Sequence, residues 1–75
     1  YQSANVVNVS IGAFGAVIPS IDQAINLLVS TGTQVVVAAG NENEDACQQS
    51  PSNTASGIVV GGSTISDARY LTSNF

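Results

Sequence analysis

An α/β fold on a parallel sheet is predicted for this 75-residue chain by three features of its apolar pattern. Val6, Val7 and Val9 make a β-branched segment from about Asn5 to Ser10. Gln34 to Ala39 carries a continuous apolar run instead of an alternating one, the pattern of a strand covered on both faces, as parallel sheets require. Between them Ile21, Ala24, Ile25 and Leu28 recur at i, i+3, i+4 and i+7, one helical stripe. The order strand, helix, strand is a βαβ crossover, and a right-handed connection brings the ends after Ser10 and after Ala39 to one edge of the sheet. Two loops then share one crevice at the carboxyl ends of the strands, where parallel α/β sheets take their ligands.

The first strand gives way to a loop marked by Gly12 and Gly15. Ser20 is placed to cap the next turn, with Gln23 reaching back to it and Pro19 just upstream, so the helix is expected to begin near Ser20. Asp22, Gln23, Asn26 and Ser30 take the side opposite the stripe, and Gly32 supplies the terminating position. After the second strand comes a polar loop, Asn41–Glu42–Asn43–Glu44–Asp45 and then Gln48 to Asn53, rich in turn-forming residues and the natural home of function. Ile58, Val59 and Val60 repeat the strand signal, adding a further strand to the βαβ unit. Only one helix is visible, so one face of the sheet is expected to stay bare and to need a covering layer from elsewhere. The chain has no internal repeat and no low-complexity tract.

Composition narrows the function classes. A chain of 75 residues allows one domain at most and buries only about 60–65% of the surface it exposes when unfolded. Its 44% hydrophobic content is globular, yet 8% charged residues are fewer than a free-standing soluble domain carries on its outside. The expectation is a piece of something larger. Arg69 is the single basic residue in a chain of net charge −4, which removes the electrostatic footprint for nucleic acid or an anionic membrane surface. No apolar stretch reaches the roughly 18–20 residues that cross a bilayer, and Tyr1–Gln2–Ser3 has neither the basic nor the apolar region of a signal peptide. Cys47, the sole cysteine, is either a free thiol or half of a bridge whose partner lies outside these residues.

Asn41 closes the run Val35–Val36–Val37–Ala38–Ala39–Gly40, which places an uncharged amide where a buried strand runs out, next to small residues that leave room for a ligand. A lone donor there is well placed to meet a reacting carbonyl oxygen; the alternative is an Asn that merely caps a turn. Glu42, Glu44 and Asp45 lack the alternating acidic spacing, central Gly and closing Glu of an EF-hand loop, and read as a solvated acidic loop, not a metal site.

Val9–Ser10–Ile11–Gly12, Val37–Ala38–Ala39–Gly40–Asn41, Ser50–Pro51, Val60–Gly61–Gly62 and Ser73–Asn74–Phe75 stand in the order and approximate spacing of subtilisin-like serine proteases. The chain most resembles the proteinase K branch. Any one of these pieces is weak, but the ordered set, covering nearly the whole chain, is specific. The resemblance implies a fragment of a parallel-sheet subtilisin-like domain, residues 1–75 being the central, incomplete part of one peptidase domain. It makes Asn41 the oxyanion-hole side chain. Ser10, Ile11 and Gly12, with Ala38, Ala39 and Gly40, resemble the two backbone segments that line the primary specificity pocket, the first of which also pairs with bound substrate as an added strand. Close packing of strand against helix is the plainer reading of the same small residues. Ala13 and Phe14 depart from the glycines usual after this segment, so no substrate preference is carried over. Cys47 matches a cysteine of some secreted bacterial members whose disulfide partner lies a few residues past the equivalent of Phe75; the other reading is a buried free thiol. Ala55 and Gly57 resemble positions whose carbonyls help bind a structural calcium, although the acidic ligand contributed from further along is absent.

The family's catalytic triad is missing from the chain, which has no His and no serine in the Gly-Thr-Ser-Met-Ala setting of the nucleophile. Ser63 is no nucleophile elbow, Asp22 and Asp67 are not credible triad acids, and Cys47 has no His to activate it. The formal sequon Asn8–Val9–Ser10 falls in a predicted inner strand and is expected to carry no sugar. The expected function is therefore that of the central fragment of a secreted serine endopeptidase hydrolysing peptide bonds, inactive alone. Its partners are polypeptide substrate and the remainder of the peptidase domain carrying Asp, His and Ser, with no nucleic acid and no membrane. Its chemistry requires no cofactor, and any structural calcium belongs to the parent. Two alternatives stand beside this reading: a homologue that keeps the fold without its triad, and a non-enzymatic α/β binding module, against which no Gly-x-Gly-x-x-Gly or Walker loop follows any strand.

Overall fold

The computed structural model describes residues 4–13 and 15–75; Phe14, one of the two departures noted above, lies outside them. Three β-branched segments form the strands: β1 (Val6–Val9), β2 (Gln34–Ala38) and β3 (Ile58–Val60). They lie parallel in the order β1-β2-β3. Val6 pairs with Gln34 and Val9 with Val37, while Val36 pairs with Ile58 and Ala38 with Val60. Asn5, Ser10 and Ala39 stand just outside the strands, which are a residue or so shorter at their ends than the apolar pattern suggests.

The helix α1 (Pro19–Ser30) connects β1 to β2 and sets Ile25 against Val35 and Val37; Val9, Leu28 and Val29 complete this core. Val35 and Val37 share one face of the central strand because side chains alternate along it. Ala24 is exposed and Val29 packs instead, since the contact stripe over a sheet only three strands wide is narrow. Val36 and Ala38 take the other face, and with Asn8, Ser10 and Val60 they line an open groove of about 250 Å³. The bare face expected from a single helix is present. No helix among the described residues is long and apolar enough to cross a membrane.

The helix begins within one residue of its expected start at Ser20, but it is capped differently. Pro19 occupies the first helical position, where its fixed φ is already helical, and it drives the preceding Ile18 into the extended region, φ −117° and ψ 102°. Ile18 is therefore the N-cap and Ser20 makes no side-chain cap. Ile18 has no side-chain acceptor to offer the first turn, but its own N–H is satisfied from a distance, donating to Ser50 Oγ at 2.7 Å, and that hydroxyl donates to Asp22 Oδ1 at 2.7 Å. The carboxyl end behaves as expected. Gly32, at φ +91°, donates to the Val29 carbonyl and Thr33 to the Leu28 carbonyl, the paired bonds of a Schellman ending.

The polar loop after β2 is less solvated than its composition implies. Ala46–Gln48 forms a single turn of 3₁₀ helix, too short for periodicity to reveal, and Gln49, Ser50 and Ser52 are buried. Their main chain docks on the loop before α1, through Ala13 N–H to the Ser50 carbonyl at 2.7 Å and Ser50 N–H to the Ala16 carbonyl at 2.8 Å. Beyond β3, Ser63 and Arg69 pair in an antiparallel turn that returns Thr72 to Phe75 across the 39–46 segment. Of the sequon, Asn8 lies on β1 and is exposed within this chain, its amide donating to Ser10 Oγ at 2.8 Å.

Candidate functional site

The loops leaving β1 and β2 meet, as the crossover requires, around a cleft of about 110 Å³. Ser10, Ile11 and Gly12 line one side, Ala38, Gly40 and Asn41 the other, and Glu42 and Gln49 complete the lining. Six of the seven residues expected at the site are thus together. Ala39 is buried and borders a different cavity, of about 440 Å³, because alternation turns its side chain away from that of Ala38. Asn41 is exposed at the cleft, and its side chain enters none of the hydrogen bonds formed among the described residues.

The turn that presents Asn41 is held by residues that sequence reasoning did not single out for this role. Asn74, only 2% exposed, accepts at Oδ1 from the N–H groups of Glu42 and Glu44, both at 2.9 Å. Its Nδ2 donates to the Ala39 carbonyl and to Glu42 Oε1, also at 2.9 Å, and its main-chain N–H donates to the Gly40 carbonyl at 3.0 Å. Gln49 joins the two walls: its Nε2 donates to Glu42 Oε1 at 2.9 Å and its Oε1 accepts from Gly15 N–H at 3.2 Å. The space these side chains occupy is the space a side chain on Gly40 would need. A Cβ there would collide with Asn74 Nδ2 and lie 2.6 Å from Gln49 Nε2 and 2.7 Å from Glu42 Oε1.

Glu42 is accordingly no member of a solvated acidic loop. It is half-buried, and the Asn74 amide holds its carboxyl below the ordinary carboxylate range, with help from Gln49 and the main-chain N–H groups of Asn41 and Glu42 and against partial desolvation. Glu44 and Asp45 are exposed, as expected.

Cys47 is exposed, which corrects the reading of a buried thiol. The Asp45 side chain, by hydrogen bonding and by charge, pushes that thiol up, which is the wrong direction for a nucleophile. Asp22 is committed to Ser50 and to Asn53 Nδ2, the latter at 3.1 Å, Ser63 to its bridge with Arg69, and Asp67 to a turn at φ +61°. None of the three lines the cleft. Ala55 and Gly57 lie on the turn entering β3, and the described residues hold no group of three or more His, Cys, Asp or Glu that could take a metal. Two carbonyls fall far short of the roughly six to eight oxygens calcium takes, so these residues do not by themselves fit the ion.

The first two strands of the parallel sheet thus end at one small-residue cleft, with the Asn41 carboxamide exposed there and unengaged among the described residues. The profile of the Subtilase family matches residues 1–75, and the chain belongs to that family. It is 48% identical over 74 residues to a subtilisin-like serine protease of Rhodotorula mucilaginosa, spanning 99% of this chain and 21% of that protein. It is 45% identical over 71 residues to cerevisin of Saccharomyces cerevisiae, spanning 95% of this chain and 11% of that one. Among solved structures, that of a cold adapted subtilisin-like serine proteinase superposes with a TM-score of 0.92 at 36% identity, over 99% of this chain and 27% of the other. The chain therefore spans about a fifth or less of the length of these two relatives.

Proposed function

We propose that this chain is the central part of a serine endopeptidase domain and contributes its oxyanion donor, Asn41, and the walls of its substrate pocket. The observation that carries this reading is the exposed Asn41 carboxamide, unengaged among the described residues and presented from the end of β2 at a cleft shared with the loop after β1. When a nucleophile adds to a peptide carbonyl, negative charge grows on the oxygen, and a donor fixed at that spot binds the transition state more tightly than the substrate. A neutral amide suits the task because no ionic hydration shell has to be stripped from it. Ser10 to Gly12 leave the end of β1 along one wall of the cleft, so their main-chain groups are placed to pair with an extended polypeptide without fixing its sequence. The small residues Gly12, Ala38 and Gly40 leave room between the walls for one substrate side chain.

Nucleophile, base and acid come, in this reading, from the remainder of the domain, since the chain has no His. The small share of the relatives' length that the chain covers supports the same view. The parent is read as secreted, with Cys47 bridged to a cysteine shortly after Phe75. Phe75 N–H donates to the Glu44 carbonyl at 3.0 Å and its carbonyl accepts from Ala46 N–H at 2.8 Å, so chain continuing from Phe75 starts beside Cys47. Disulfides persist in the oxidising compartments that secretion reaches.

The test is Asn41→Ala in the full-length protein. The expected result is a fall in kcat of about 10²–10³, or about 2.7–4 kcal/mol, with KM little changed; that range is the known cost of removing the oxyanion-hole asparagine of a subtilisin, a protease of this same family. An unaltered kcat would remove Asn41 from the mechanism.

A further inference from the structure

We propose that Asn74 is a positioning residue for catalysis, holding the turn that aims Asn41, an inference that rests on the oxyanion reading of Asn41. A carboxamide has two N–H donors and two acceptor lone pairs on its oxygen. In Asn74 all four are used, and every partner belongs to the segment Ala39 to Glu44. Its own N–H adds a fifth bond, to the Gly40 carbonyl. The Gly40 carbonyl and the Glu42 N–H are the peptide groups on either side of Asn41, so a single buried residue fixes the backbone from which the Asn41 side chain departs. The direction of that side chain has no other evident anchor, because it makes no hydrogen bond of its own among the described residues. Asn43, in the same turn, takes the left-handed region at φ +54°, and Gly40, at φ +107°, takes one open to glycine.

A donor accelerates a reaction only if it is held where the charge appears, and a misplacement of about 1 Å is enough to cost roughly 10²-fold in rate. Asn74→Asp is the informative change. It is nearly isosteric and keeps the Oδ1 that Glu42 and Glu44 donate to, but it turns the Nδ2 donor into an oxygen facing the Ala39 carbonyl and Glu42 Oε1. The bonds to the Gly40 carbonyl and the Glu42 N–H can still form, but the new carboxylate faces the Glu42 carboxylate and the Ala39 carbonyl where a donor stood, and that repulsion pushes the side chain off the turn it holds.

The experiment is a double-mutant cycle in the full-length protease, comparing kcat and KM for the wild type, Asn41→Ala, Asn74→Asp and the double variant, on protein that elutes and melts as one folded species. The expected result is that Asn74→Asp alone lowers kcat by about tenfold or more with little change in KM. In the Asn41→Ala background the same substitution is then nearly silent, because the group it positions is gone. Additive losses, or an Asn74→Asp kcat like that of the wild type, overturn the inference and leave the oxyanion reading standing. An Asn41→Ala variant with unaltered kcat overturns both. If Asn74→Asp yields no folded protein, Glu42→Ala replaces it in the cycle. That variant removes one of the two acceptors of Asn74 Nδ2 and leaves Asn74 itself unchanged, and the same non-additivity is expected, with additivity again the overturning result.

Discussion

At Gly40 the site and the backbone make the same demand. The residue sits at φ +107°, and the volume beside it is already filled by the polar ends of Asn74, Gln49 and Glu42. Gly40→Ala therefore combines a strained backbone, about 1–3 kcal/mol, with displacement of the side chains that hold the Asn41 turn. The expected outcome in the full-length protein is a lower melting temperature together with a kcat loss resembling that of Asn41→Ala; a variant that melts lower yet keeps its kcat would separate the turn from catalysis. Glu42 carries a second expectation, in pH. Its folded carboxyl is held below the ordinary value of about 4.5, so the stability it contributes is full above that value and is lost as pH falls through the lower folded value. Glu42→Gln, which keeps the acceptor oxygen but not the charge, is expected to melt below the wild type at neutral pH, with the gap narrowing as pH drops below about 4. Thermal melts across that range check it, and a gap that stays constant would show that the charge is not what Asn74 and Gln49 are holding.

Helix α1 separates what a local pattern can reveal from what it cannot. Its apolar spacing announces Ile25 and Leu28 as core, and Gly32 announces its end, because both signals lie within a few residues of the structure they specify. Its cap misleads for the opposite reason. Ser20 looks like a cap, but the hydroxyl that serves Ile18 belongs to Ser50, thirty-two residues away and fully buried. Ser50→Ala leaves the Ile18 N–H and the Asp22 carboxylate each short of a partner, an expected loss of about 1–3 kcal/mol, whereas Ser20→Ala on the exposed first turn is expected to stay within about 0.5 kcal/mol. Denaturant unfolding of the two full-length variants compares them directly, and equal losses would restore Ser20 as the cap. The candidate site divides along the same line. Strand ends and small residues mark Ser10 to Gly12, Ala38, Gly40 and Asn41, but Gln49 and Asn74 acquire their roles only when segments seven and thirty-two residues from Glu42 are folded against it. Nothing in the polarity of either residue distinguishes it from a neighbour facing solvent.

On the scale of the whole chain, apolar surface is left without cover. The buried cluster amounts to Ile25, Val35 and Val37, supported by Val9, Leu28 and Val29, while β3 is uncovered on both faces, with Val59 at 36% and Val60 at 52% exposure. Leu71 and Ile11 are 80% and 77% exposed, and the 250 Å³ groove and 440 Å³ cavity flank the sheet with no layer over them. A domain of this size already sits at the margin where one small core offsets chain entropy, and here much of the apolar area gains nothing from folding. The exposed strands also present unpaired edges to other copies. The isolated 75-residue chain is therefore expected to associate or precipitate, to show no sharp monomeric melting transition, and to hydrolyse no peptide, since no nucleophile–base pair lies among the residues lining its cleft. Size-exclusion chromatography with calorimetry on the purified chain checks the first two, and a peptide substrate assay checks the third. A monomer with a cooperative transition would mean that the six-residue cluster suffices for folding and that the uncovered surface is not a docking face for the rest of a peptidase domain.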